Sequence, residues 1–157
     1  MTRRLNFIAA FLLAVTLALT AGGVAEAKNP SAFFVVGLKS YAFDDNGVPS
    51  NNEMDVAPFI ENGRAYVPVR YLAYGLGVAE KDVNWDEASQ TVTLSMEGTT
   101  VKLQVGSKTF YVNGKPQEMD VTPLLRDGRV FLPARFVAEA FGFDVFWEDP
   151  TITINAK

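Results

Sequence analysis

The chain carries one sequence motif twice, at residues 54–77 and again at residues 119–142. The recurring residues are Met, Asp, Pro, Gly, Arg, Pro, Arg, Ala and Gly, and each stands 65 positions after its counterpart. A repeat with so long a period is typical of a duplicated supersecondary unit. The motif therefore predicts two copies of one small fold.

Each copy contains short strands and tight turns within and around the motif. Asn-Gly at residues 62–63 and Asp-Gly at residues 127–128 lie between apolar runs, and such pairs favour hairpins because they accept positive φ at two successive positions. Residues 91–94 and 151–154 alternate threonine with aliphatic residues, which is typical of strands. The first copy has a longer loop at residues 44–53.

One short amphipathic helix is predicted in each copy. Residues 69–76 and 134–141 place apolar side chains at i, i+3, i+4 and i+7, which is the spacing of a helix with one buried face. Helices this short are not stable alone, so we expect them to pack on a sheet. The flanking residues suit a helix start and a left-handed helix end: Pro68, Pro133, Gly77 and Gly142.

These elements predict an α+β fold of two tandem repeats, each a curled antiparallel β-sheet of about five strands around one short α-helix. We assign residues 28–97 to the first repeat and residues 98–157 to the second. The turn Glu97-Gly98 alone separates the last strand of the first copy from the first strand of the second. We therefore expect the two repeats to pack closely.

The N-terminus has the pattern of an export signal, which we assign to residues 1–27. Arg3 and Arg4 precede an almost wholly apolar segment from Phe7 to Leu19, and Ala25-Glu26-Ala27 fits a small-x-small cleavage site. The apolar segment is too short to span a bilayer comfortably. We expect a secreted, extracellular or envelope protein with no membrane span after cleavage.

Composition excludes several function classes. The chain has no cysteine and no histidine, which removes thiolate chemistry, Ser-His-Asp catalysis and imidazole metal ligands. A net charge of −4 without a basic run disfavours nucleic acid as a partner. We predict no catalytic residue and no cofactor. A small hydrolase that uses paired carboxylates is the enzyme class left open, although most acids fall at turns.

The chain resembles the copper amine oxidase N-terminal domain-like family, also called stalk domains. The resemblance covers residues 33–155, and the residues that carry it are Gly63-Arg64, Tyr66–Arg70, Leu72-Ala73, Gly77, Val83, Trp85-Asp86, Gly128-Arg129, Phe131–Pro133, Arg135–Ala140, Gly142, Val145 and Trp147. It implies an exported module in which a small antiparallel sheet wraps around a helix. Oxidase chemistry needs histidine ligands that this chain lacks, so the resemblance implies no oxidase activity. Tyr74-Gly75 departs from the pattern, which we interpret as tolerated variation.

Two arginines recur in each copy and allow two interpretations. They could form an anion-binding fork near a helix N-terminus, or each could pair with an aspartate and tie hairpin to helix. Their presence in both copies favours a folding role. The residues interpreted as a structural motif are Asp55, Arg64, Pro68, Arg70, Gly77, Trp85, Asp120, Arg129, Pro133, Arg135, Gly142 and Trp147.

Four aromatic residues could be buried or could contact a ligand. Trp85 and Trp147 hold equivalent strand positions and are predicted to lie in the core, since large aromatics supply much of a small core's burial. Tyr71 and Tyr74 fall outside the apolar stripe of the first helix. They are the candidate ligand contacts, for example for a sugar ring.

The loop at residues 44–53 contains a weak calcium candidate made of Asp44, Asn46 and Glu53. Their spacing matches part of a calcium-binding loop, but Ala42 stands at the first ligand position and the flanks are strand-like. We therefore predict a solvated hairpin tip and no metal.

The leading hypothesis is a non-catalytic cell-surface or envelope module that acts as a structural spacer or interaction domain. It would engage protein partners or associate with itself through sheet edges. The alternative is a protein that binds cell-wall polysaccharide through exposed aromatic residues.

Overall fold

The computed structural model describes residues 32–45 and 48–157, and this part of the chain has an α+β fold. Its strands form three antiparallel sheets, with two short α-helices packed against them. The predicted signal peptide at residues 1–27, and Asn46, lie outside the described residues. Neither helix in the described ranges is long and apolar enough to cross a bilayer.

The strands and helices are short in both halves of the chain. The first half, residues 32–97, contains β1 (Ala32–Val35), β2 (Ser40–Asp45), β3 (Val48–Glu53), β4 (Phe59–Glu61), β5 (Arg64–Pro68), α1 (Val69–Leu76), a 3₁₀ turn (Glu80–Asp82), β6 (Val83–Asp86) and β7 (Thr91–Met96). The second half, residues 98–157, contains β8 (Thr99–Gln104), β9 (Thr109–Val112), β10 (Lys115–Glu118), β11 (Leu124–Arg126), β12 (Arg129–Pro133), α2 (Ala134–Ala140), β13 (Phe143–Glu148) and β14 (Thr151–Ala156).

Both five-stranded sheets combine strands from the two halves. The first sheet has the order β13-β14-β1-β2-β3, and the second has the order β10-β9-β8-β7-β6. The structure therefore differs from the expectation that each copy keeps its own five-stranded sheet. One reason is the turn Glu97-Gly98, where both residues have positive φ. So tight a turn makes β7 and β8 a hairpin, and they pair from Met96–Thr99 onwards.

The four-stranded central sheet, β11-β12-β5-β4, joins the halves directly. In the antiparallel pair of β5 and β12, Val67 lies opposite Leu132, which is 65 positions later. On either side, Pro68 lies opposite Phe131 and Tyr66 lies opposite Pro133. Replacing each residue by the residue 65 positions away gives the same set of pairs, which is the pattern that a two-fold axis produces. Val67 and Leu132 are fully buried, so this axis runs through the core.

Both helices begin where the sequence predicts and end within one residue of the predicted end. α1 spans Val69–Leu76 and α2 spans Ala134–Ala140, each after a proline. Gly77 and Gly142 follow them with φ of 86° and 85°, the left-handed conformation that ends a helix. The buried helix residues join one core with residues of all three sheets: Leu72, Ala73, Val137, Ala138, Val67, Leu103 and Ile152.

The segment predicted as a loop, residues 44–53, is mostly a strand. β3 pairs with β2 along its whole length, from Asp45–Val48 to Ser40–Glu53. Its sequence hides this pairing because it is polar and contains Pro49. An edge strand tolerates both features, and β3 is the last strand of its sheet.

A glycine inside α1 brings that helix close to β1. A Cβ atom at Gly75 would lie 2.8 Å from the Cβ of Ala32 and 3.2 Å from the ring of Phe34. Both of these β1 side chains are fully buried, so neither can swing aside. The interpretation of Gly75 as tolerated variation is therefore wrong, because the packing of α1 on β1 requires a residue without a side chain.

We expect Gly75→Ala to destabilise the protein although alanine is the better helix former. Overpacking against Ala32 costs about 1–3 kcal/mol, whereas the gain in helix propensity is at most about 1 kcal/mol. Urea unfolding followed by tryptophan fluorescence measures the change in the free energy of unfolding. A Gly75→Ala protein as stable as the unmodified chain would contradict this packing argument.

Two control variants separate the clash from the helix propensity. Adding Ala32→Gly to Gly75→Ala removes the nearest atom and should recover much of the lost stability. Ala140 holds the equivalent position in α2. Ala140→Gly should cost about 1 kcal/mol, the ordinary propensity difference.

Candidate functional site

Two arginine–aspartate bridges join the halves of the chain. Arg64 binds both carboxylate oxygens of Asp120, and its Nε lies 3.2 Å from Asp120 Oδ1. Arg129 donates from Nε to Asp55 Oδ2 at 2.6 Å, and its Nη2 pairs with the same oxygen. Because Asp120 and Arg129 stand 65 positions after Asp55 and Arg64, the bridges join equivalent residues in opposite directions.

The bridges lie at the surface, where their side chains are 40–52% exposed. Exposed ion pairs are individually weak. Arg64 engages two separate oxygens of Asp120, which is the stronger, bidentate type of contact. The hydrogen bond from Arg129 holds the pKa of Asp55 below its ordinary value. The same bond raises the pKa of Arg129.

Tyr71 gives the Asp55 bridge a contact that the other bridge lacks. Its hydroxyl donates to Asp55 Oδ1 at 3.0 Å and accepts the backbone N–H of Asp55 at 3.1 Å. The equivalent residue in the second half is Phe136, which has no hydroxyl. The Tyr71 ring also packs on Tyr41, with ring centroids 5.5 Å apart. Its polar end is therefore engaged within the protein.

A third ion pair joins two equivalent positions to each other. Arg126 Nη2 lies 2.8 Å from Glu61 Oε1, and these residues are 65 positions apart. Two identical charges would repel each other where a two-fold axis brings equivalent positions together, and here the charges are opposite. The guanidinium of Arg126 also lies 4.4 Å from the centre of the Phe59 ring.

The structure does not place the two arginines of each copy side by side as an anion-binding fork. Arg64 and Arg129 are bound to aspartates of the opposite half, so these bridges tie half to half and do not tie hairpin to helix within one copy. Arg70 is exposed on α1. Arg135 lies 3.9 Å from Glu139 one turn further along α2.

The two tryptophans lie at the rim of the core, so the prediction of core positions is wrong. Trp85 is 41% exposed and Trp147 is 42% exposed. They face the same side as their buried cross-strand partners, Val92 and Ile152. Their strands, β6 and β13, are edge strands, and no neighbouring strand among the described residues covers their outer flank.

The candidate ligand contacts, Tyr71 and Tyr74, are half-buried on α1. Burial raises the pKa of Tyr74, and the nearby carboxylate of Glu80 raises it further. More exposed ring surface lies elsewhere, at Tyr111 and Phe146. No observed geometry favours Tyr71 and Tyr74 as a sugar-stacking pair.

The calcium candidate does not assemble. Glu53 pairs with Ser40, whereas Asp44 pairs with Pro49 at the other end of the β2–β3 hairpin. Four residues of strand separate these positions by about 13 Å, which is too far for one ion. The third candidate ligand, Asn46, lies outside the described residues.

An open cleft of about 250 Å³ lies between the edge strands β4 and β13. Alanines line it at positions 65 and 134, where the equivalent residues of the opposite half are Val130 and Val69. The smaller side chains leave space that valines would occupy. The remaining lining residues are Ile60, Gly63, Arg64, Pro133, Arg135, Phe136, Val145, Trp147 and Ile152.

We expect Tyr71→Phe to weaken the Asp55–Arg129 bridge and leave the Asp120–Arg64 bridge unchanged. The substitution gives the first half the side chain that the second half has as Phe136. A double-mutant cycle between Tyr71→Phe and Asp55→Asn should give a coupling free energy of about 0.5–1.5 kcal/mol, the worth of one hydrogen bond. The matched cycle with Asp120→Asn should give about zero. Equal coupling in both cycles would contradict this assignment.

The stability supplied by Asp55 should disappear in acid. Its pKa is lowered in the folded protein, so the unfolded chain binds the proton more tightly. The contribution is then fully present above about pH 5 and falls as the pH drops through the ordinary aspartate value near 3.9 towards the lower folded pKa. We expect the stability difference between the unmodified protein and Asp55→Asn to shrink over this window in urea unfolding series.

The difference in the free energy of unfolding between the unmodified protein and Asp55→Asn cancels the contributions of other acids that titrate in the same pH range. Hydrogen bonds from Ser89 lower the pKa of Asp86, but that group is present in both proteins and cancels. A difference that stays constant from neutral pH to pH 3 would show that the charge of Asp55 does not stabilise the fold.

Comparison with known proteins agrees with the resemblance found in the sequence. The family described as copper amine oxidase N-terminal domain matches residues 46–156. A primary amine oxidase of Klebsiella aerogenes is 35% identical over 60 residues, which is 38% of this chain and 8% of that protein. The chain thus spans a small part of the length of that relative. Since the family match covers well over half of the chain, the protein belongs to the copper amine oxidase N-terminal domain family.

Proposed function

We propose that the protein is a non-catalytic module of the cell surface or envelope that acts as a spacer or as a contact site for other proteins. The family match is to an N-terminal domain and not to the oxidase catalytic domain. One observation carries the proposal: Asp55, Asp120 and Glu61 are each bound to an arginine of the opposite half. These carboxylates are used to hold the halves together, and an arginine-bound carboxylate is a poor general base.

The body of the module consists, in this proposal, of two copies of one unit, residues 28–97 and 98–157, which complete each other's sheets. The identities at an offset of 65 residues support it. So do the central pair of Val67 and Leu132 and the two bridges between equivalent residues. Because the sheets and the core combine elements of both halves, separating the halves would break strand pairs and expose core residues, and a spacer benefits from that cohesion.

Export is the second part of the proposal and rests on the N-terminal sequence. A basic start, an apolar stretch and a small-x-small site precede Lys28. The lack of cysteine means that the module must be stable outside the cell without disulfides. The shared core and the bridges between halves are the features that supply this stability.

The proposal predicts that the chain is processed at Lys28 and found in the envelope or the medium. Fractionation of bacteria that express it, followed by N-terminal sequencing, tests this part. Chemical cross-linking on intact cells, followed by mass spectrometry, should identify the same protein partner, or a second copy of this chain, in replicate experiments. Retention in the cytoplasm with the leader intact would contradict export.

A second measurement separates the scaffold from its alternatives. Purified protein should not sediment with cell-wall polysaccharide and should not turn over a panel of glycoside and ester substrates. Sedimentation that Tyr71→Ala with Tyr74→Ala abolishes would replace the scaffold by a glycan-binding protein. Turnover that a carboxylate variant abolishes would replace it by a hydrolase.

A further inference from the structure

In the part of the chain that the structure describes, six strands form the edges of the three sheets, and five of them are poor templates for another strand. β4 and β11 have three residues each, and β6 and β10 have four. β3 has six residues but is polar and contains Pro49. Short length and proline are common ways to block edge pairing. The remaining edge, β13, has six residues, Phe-Asp-Val-Phe-Trp-Glu, and no proline.

The two faces of β13 differ in charge. Val145 and Trp147 point towards the cleft, which Arg135 also lines. The opposite face carries Asp144 and Glu148 on either side of Phe146, which is 55% exposed. An added strand would therefore meet an apolar space beside a cation on one face and an acidic, aromatic surface on the other.

We propose that β13 is the docking edge for an extended segment of a partner protein in which apolar and basic residues alternate. Successive residues of a strand point to opposite faces, so the apolar side chains of such a segment enter the cleft. Its lysines or arginines then face Asp144 and Glu148 and stay away from Arg135. Backbone hydrogen bonds to the flank of β13 that no described strand covers supply affinity, and the two faces supply specificity. The inference rests on the proposed function and specifies its contact surface.

A second copy of this chain fits the edge less well. Antiparallel pairing of β13 with itself would bring Asp144 and Glu148 of one protomer to the same acidic face of another. Like charges on neighbouring strands destabilise a sheet, and the chain as a whole is acidic. Asp144 has one cationic neighbour, Lys157 at 3.5 Å, which does not reverse the charge of the face.

A pair of synthetic peptides tests the proposal with the purified protein. The probe is a labelled octapeptide in which leucine and lysine alternate, and the control has the same composition with all leucines before all lysines. Fluorescence anisotropy should show at least about tenfold tighter binding of the alternating peptide, because that peptide alone presents one apolar and one basic face. In a Trp85→Phe background, the peptide should shield Trp147 from iodide quenching.

Matched variants locate the site. Phe146 on β13 and Asn84 on β6 hold equivalent positions, and both are exposed. Phe146→Lys should weaken binding at least about tenfold, whereas Asn84→Lys should change it by less than about twofold. Ala65→Val gives the cleft the residue that the opposite half has as Val130 and should also weaken binding. Circular dichroism confirms that each variant is folded.

Three results would overturn the assignment. They are equal binding of the two peptides, equal effects of Phe146→Lys and Asn84→Lys, or a dimer of the unmodified protein that Phe146→Lys dissociates, which would make the occupant a second copy. The proposed function fails separately. If cross-linked partners persist on cells that carry Phe146→Lys, the scaffold role stands and its contact lies elsewhere.

Discussion

The pairing of β5 with β12 is the constraint on which the rest of the structure depends. Val67 and Leu132 meet at its centre in the core, and every neighbouring pair exchanges partners around that point. Once these strands are paired, the strands that follow α1 lie beside the start of the second half, and the strands that follow α2 lie beside β1. Each five-stranded sheet is then completed by the opposite half. The hydrophobic core is correspondingly shared, so neither half has an interior of its own.

The two-fold relation also limits which charged side chains can lie near its axis. A residue close to the axis meets its own counterpart, so identical charges there would repel each other, and Glu61 meets Arg126. Further from the axis, the aspartate of each half can bind the arginine of the other half, as in the two bridges. The bridges are exposed and individually weak. Both link the same two halves, so each would have to break for the halves to separate.

Local structure could be read from the sequence with good accuracy, whereas the assignment of strands to sheets could not. The apolar spacing of residues 69–76 and the proline and glycine at its ends fix α1, because these are short-range effects. Nothing in the local pattern of Ala32–Val35 says that its neighbour will be the C-terminal strand β14. Because the two halves have similar strand patterns, a strand could pair within its own half or with the other half, and the local pattern does not distinguish the two arrangements.

The candidate site residues show the same contrast: their local roles can be predicted from the sequence, whereas their distant partners cannot. The sequence predicts a structural role for Arg64 and Arg129, the first residues of β5 and β12. It does not predict their partners, which come from the opposite half because the axis brings Asp120 to Arg64 and Asp55 to Arg129. Their size alone favours core positions for the two tryptophans, and their exposure follows from their place on edge strands. The role of Gly75 could be predicted from the sequence, because a glycine in a helix costs stability unless close packing requires it. The close packing of α1 on β1 does require a glycine at this position.

Positions at which the halves differ are of two kinds, those that serve the fold and those that change the surface. Where both halves carry the same residue, as with the bridging aspartates and arginines, the residue serves the shared framework, because the axis gives it the same role twice. Ala65 and Val130 occupy equivalent places in that framework, yet one borders an open cleft. Phe146 and Asn84 likewise give the edge strands β13 and β6 different surfaces, an exposed ring on one and an exposed amide on the other. Not every such difference alters the surface: Gly75 and Ala140 differ because α1 packs closely on β1. Ala65 lines the cleft and Phe146 is exposed, so these two differences change the surface of one side of the molecule.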